Sequence, residues 1–130
     1  MQTETFVDQV MTHGPQMDRD RALNATHVTL RALCEHLPAE QTRRMSAQLP
    51  ETLSKAADAG ALEAGKDGIH VNDLENFYAK VASRGELSRD EARGISRAVA
   101  RTLKHAVSGG ELVDVTIDLP AEMAELVAYS

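Results

Sequence analysis

Leu112-Val-Asp-Val-Thr-Ile-Asp-Leu119 is the stretch on which the fold class turns. Read alone, its alternation of apolar and polar residues, rich in β-branched types, predicts a strand. Set against the rest of the chain it reads otherwise. At an offset of 70 it faces Thr42 to Leu49, where the alternation is missing and Thr42, Met45 and Leu49 recur at helical spacing. Their counterparts are Leu112, Val115 and Leu119, so a helix is expected in both places.

That correspondence belongs to an internal duplication. Phe6, Val10 and Gly14 match Phe77, Val81 and Gly85 at an offset of 71. Once a residue is dropped after the glycine, Arg19, Asp20, Ala22, Arg31, Leu33, Leu49 and Pro50 match Arg89, Asp90, Ala92, Arg101, Leu103, Leu119 and Pro120 at an offset of 70. Helix punctuation repeats with it. Asn72 with Glu75, Ser88 with Glu91 and Ser108 with Glu111 have the spacing at which a side-chain oxygen caps free backbone N–H groups, and Asp18 stands where Ser88 does.

The faces that follow carry Ala22, Ala25, Thr29 and Leu33 in one copy and Ala92, Ile95, Val99 and Leu103 in the other. Pro38 suits the first turn of a third helix, and Pro50 and Pro120 each separate that helix from a short fourth. Residues 58–71, with Gly60, Gly65 and Gly68, read as a linker. The expectation is one all-α domain over residues 1–130, made of repeat 3–57, linker 58–71 and repeat 72–128. Seven or eight short helices with Leu-Pro corners predict two pseudo-symmetric halves in an orthogonal, globin-like bundle.

Composition agrees. The 130 residues are 42% hydrophobic but only 3% aromatic, and alanine, the best helix former, is the commonest apolar type. Twenty acidic against 14 basic residues give a net charge of −6, which opposes attraction to nucleic acid and to anionic membranes. No run approaches the ~18 apolar residues of a membrane span, and the start, MQTETFVDQV, lacks the marks of a signal peptide. With Cys34 the only cysteine, no internal disulfide can form, and a cytoplasmic setting is expected.

The duplicated pattern resembles the uncharacterised bacterial family catalogued as domain of unknown function 2267. The resemblance is carried by Phe-x3-Val at 6–10 and 77–81, Arg-Asp-x-Ala at 19–22 and 89–92, Leu-Pro at 49–50 and 119–120, and the phrase Leu30-Arg-Ala-Leu-Cys-Glu-His-Leu-Pro-Ala-Glu40. It implies a small, duplicated, all-helical protein and transfers no catalytic residue.

Short motifs add no chemistry. Gly60-Ala-Leu-Glu-Ala-Gly65-Lys66-Asp67 has phosphate-loop spacing but ends on Asp67, where a magnesium-binding hydroxyl belongs. A calcium loop registered on Gly68 would put Leu74 at its last ligand position. Histidines 13, 27, 36, 70 and 105 follow no metal-site spacing. Cys34 reads as a buried thiol beside a helix-terminal His36, so neither metal nor cofactor is expected.

Two differences between the copies are more informative. Leu23, His27, Leu30, Cys34 and Leu37 form a second apolar stripe on the second helix, where copy two has Arg93, Arg97, Ala100, Lys104 and Val107. Such a helix is either central or covered by a partner. In copy two, Arg89, Arg93, Arg97, Arg101 and Lys104 line one helix and Glu111, Asp114, Asp118, Glu122 and Glu125 its successor. The functional expectation is a non-enzymatic module for protein contact or self-association. Leu23, His27, Leu30, Cys34, Leu37, Arg93, Arg97, Arg101 and Lys104 are its candidate partner-binding residues. The alternative is a small-ligand pocket between the two repeats, and an enzyme stands third.

Overall fold

The computed structural model describes residues 1–63 and 73–130. Among these residues there are eight helices and no strand: α1 Thr3–His13, α2 Arg19–Cys34, α3 Ala39–Ser46, α4 Glu51–Glu63, α5 Leu74–Gly85, α6 Arg89–Ala106, α7 Gly109–Asp118 and α8 Ala121–Tyr129. The ambiguous stretch is therefore helical. Ser108 starts α7 by accepting from Glu111 N, and Glu111 in turn accepts a 2.6 Å hydrogen bond from Gln41 Nε2 of α3. Val115 is buried, and α7 packs on α3 and α8, so tertiary anchoring overrides the local preference of its β-branched residues.

Most of the expected punctuation is in place. Asp18 caps α2 by accepting from Arg21 N, and Ser88 and Glu91 form a reciprocal capping box at the head of α6. Pro38 and Pro120 precede α3 and α8. Helix α5 is capped by Asp73, which accepts from Asn76 N at 2.8 Å, while Asn72 lies outside the described residues. Glu86 closes α5 in the left-handed conformation with φ 54°.

The matched apolar side chains lie inside, whereas the matched Arg and Asp positions are exposed. Phe6 and Phe77, Val10 and Val81, Ala22 and Ala92, Leu33 and Leu103, Leu49 and Leu119, and Leu53 and Met123 are buried, all but Ala22 in one continuous cluster. At its centre α2 packs against α1, α4, α5 and α6. The chain's helices thus cover α2 on several sides, as its two apolar stripes require.

The expected linker begins later than its glycines suggest. α4 runs through Gly60 to Glu63, so residues 58–63 are helical, and the rest of the linker reading lies outside the described residues. The phosphate-loop resemblance fails at the same point, because Gly60 sits inside a helix instead of following a strand. Gly60 serves packing: a methyl there would run into the Arg31 carbonyl oxygen and lie 2.9 Å from Cys34 Cβ. Replacing it with alanine gains about 1 kcal/mol of helix propensity but forces α4 away from α2, an overpacking cost of about 1–3 kcal/mol. Gly60→Ala is therefore expected to lower the urea midpoint of unfolding, and a midpoint at or above wild type would refute the close-approach role.

Candidate binding site

The apolar candidates are absorbed by the fold. Leu30, Cys34 and Leu37 are 0–1% exposed, and Leu23 and His27 are half-buried, with Leu23 packed against the core. The stripe is covered within the chain, and the case for a partner on that face falls away. Burial pushes the Cys34 thiol up to about 12, so it stays protonated and is not a nucleophile at neutral pH. His27 is held below its ordinary value by burial, and its Nε2 has no hydrogen-bond partner among the described residues.

Among the described residues the most deeply buried charge is Glu35, which no sequence motif singles out. Glu35, with a 5% exposed side chain at the end of α2, accepts hydrogen bonds from Lys80 Nζ at 3.4 Å and from both terminal nitrogens of Arg84 on α5. Lys80 Nζ also lies 3.2 Å from His36 Nε2. Burial alone would raise the Glu35 carboxyl, but the Arg84 hydrogen bond and the charges of Lys80 and Arg84 outweigh it and hold the group below the usual carboxylate range. Lys80 and Arg84, four apart on one helix face, thereby tie α5 to the end of α2.

A folded-state value below the unfolded one means that the carboxylate stabilises fully above the unfolded pKa and loses this contribution as pH falls through the folded one. Glu35→Gln is expected to cost about 1–3 kcal/mol at neutral pH. The gap from wild type should shrink in acid, below about pH 4. Urea titrations at several pH values measure it, and a gap that stays constant into acid would contradict the ionised role.

The basic stripe of α6 divides sharply. Arg89 and Arg93 pair with Glu75 of α5, at 3.0 and 3.3 Å, and the Arg93 guanidinium lies 5.6 Å from the centroid of the Tyr78 ring. Lys104 Nζ donates to the Ala128 and Ser130 carbonyl oxygens at the end of α8. Arg97 and Arg101 have no hydrogen-bond or ion-pair partner among the described residues. Nor do the acidic residues pair with this stripe as a row: Glu111 meets Gln41 and Arg44 of α3, and Glu122 accepts from Leu74 N.

The two unpaired arginines line a cavity of about 520 Å³ between α1, α5, α6 and α8. His13 comes from the end of α1, Leu74 and Tyr78 from α5, and Glu125, Leu126 and Tyr129 from α8. Tyr78 is 3% exposed, and its ring lines this cavity. Apart from the i, i+4 pair Arg97 and Arg101, no spacing in the sequence joins these residues; helix packing collects them. Two guanidinium forks, a phenol and apolar side chains thus face one cavity, a set of groups with the chemistry to pair with an anion.

A family model described as "Uncharacterized conserved protein (DUF2267)" matches residues 3–126. No curated protein matches the chain.

Proposed function

The chain belongs to the DUF2267 family, and we propose that it is a non-enzymatic binding module that offers the Arg97–Arg101 edge of α6 to a negatively charged group. One observation carries this reading: Arg89, Arg93 and Lys104 are engaged within the chain, whereas Arg97 and Arg101 are exposed and unpaired among the described residues. In a chain of net charge −6, two free guanidinia beside a cavity form a local positive site that the overall balance does not suggest. The reading places the module in the bacterial cytosol, supported by its lone cysteine and its lack of any helix long and apolar enough to cross a membrane among the described residues. It includes the duplication of 3–57 in 72–128, supported by the shared burial of matched apolar positions.

Self-association is a second reading, on a different surface. Val113 and Ile117, one turn apart on α7, are 58% and 73% exposed and are flanked by Asp114 and Asp118. An apolar pair on an outer helix face is suited to cover by a second copy. The two readings separate by experiment. Capture from extracts of the protein's own cells is expected to yield material that the double variant Arg97→Glu, Arg101→Glu no longer retains at equal helicity; identical captured material would contradict the binding edge. Light scattering is expected to show a dimer that Ile117→Lys dissociates if α7 self-associates, and a wild-type monomer at high concentration would remove that reading.

A further inference from the structure

We infer that the cavity between α1, α5, α6 and α8 is a site for a small organic anion, a carboxylate or phosphate carried on an aromatic or apolar body. This rests on the proposed binding role and names its ligand class. Arg97 and Arg101 are four residues apart, so they rise from the same face of α6 and can close on one anionic group. Their planar forks match carboxylate and phosphate oxygens in pairs. Glu125 is the single carboxylate among the lining side chains, against the two guanidinia.

Size and lining define the rest of the ligand. A cavity of about 520 Å³ falls within the range of small-molecule sites and is roomier than a bare phosphate needs. Leu74, Leu126 and the 86% exposed Tyr129 supply apolar surface around it. Tyr78 decides between a small ligand and an acidic protein surface. The Tyr78 ring lines the cavity, and its hydroxyl can donate to a ligand seated there. An acidic side chain of a protein could reach the exposed arginines, but only a group that enters the cavity could reach Tyr78, which is 3% exposed. The ligand would also touch His13 of the first half and α6 of the second, bridging them.

The test is calorimetric titration of the full chain with benzoate, phenyl phosphate, inorganic phosphate, benzyl alcohol and a polyglutamate peptide. We expect an aromatic anion to bind at one site with Kd below about 1 mM. Inorganic phosphate and the neutral alcohol should be at least about tenfold weaker. Arg101→Gln, on the exposed face of α6, should weaken the aromatic anion about tenfold. Tyr78→Phe, which keeps the ring, should weaken it about three- to tenfold with unchanged helicity. Absence of aromatic-anion binding, or binding unaltered by Arg101→Gln, overturns the inference. If the peptide binds, loses affinity in Arg101→Gln and is indifferent to Tyr78→Phe, while the aromatic anions do not bind, the small-ligand site is refuted and the binding edge survives. If neither class of anion binds, both are refuted.

Discussion

The structure depends on α2 being apolar on two sides and having both sides covered by its own chain. A helix with that pattern is stable only when it is surrounded, and α1, α4, α5 and α6 surround it. Gly60 sets how closely α4 can come, because there is room for no side chain between it and the Arg31 carbonyl. On another side Glu35 binds Lys80 and Arg84, so that α5 is fixed to the end of α2 by charge as well as by Phe77 and Val81. Such a buried pair has to be complete, since removing one partner leaves an unpaired charge in a low-dielectric setting.

Once α2 is enclosed, the orientation of α6 is settled. Its inner face, with Ala92, Ile95, Val99 and Leu103, enters the core, and its outer face carries the arginine series. Neighbouring helices then use part of that series. Glu75 takes Arg89 and Arg93, and the carbonyl end of α8 takes Lys104. The two arginines between them face the gap bounded by α1, α5 and α8 and keep their hydrogen-bonding capacity. The proposed binding edge is the part of this arginine series that the neighbouring helices leave unused.

Much of the architecture was legible because it is written in periodic and capping signals. Residues 112–119 were ambiguous by local propensity, and comparison with Thr42–Leu49 resolved them correctly as helix; the Ser88–Glu91 box and the Asp18 cap are where the spacing put them. The site was legible only in part. Arg97 and Arg101 stood out as members of a stripe, but nothing along the chain distinguished them from Arg93 or Lys104, whose partners come from other helices. The apolar stripe from Leu23 to Leu37 was a true signal with two readings, and packing against the chain's own helices selected the central-helix one. Gly60 looked like a linker residue because glycine punctuates loops and close helix contacts alike, and only three-dimensional proximity separates the two. Glu35, Tyr78 and His13 carried no signal, since their roles arise from residues tens of positions away.

The central claim is that packing around α2 leaves Arg97, Arg101 and Tyr78 converging on one anion site. A crystal structure of the chain grown with phenyl phosphate tests it most directly. The account predicts the phosphate within about 3 Å of both guanidinia, with the phenyl group in the cavity and a ligand oxygen accepting from the Tyr78 hydroxyl. A phosphate bound elsewhere, or arginines engaged by the chain itself with the cavity filled by protein, would contradict it.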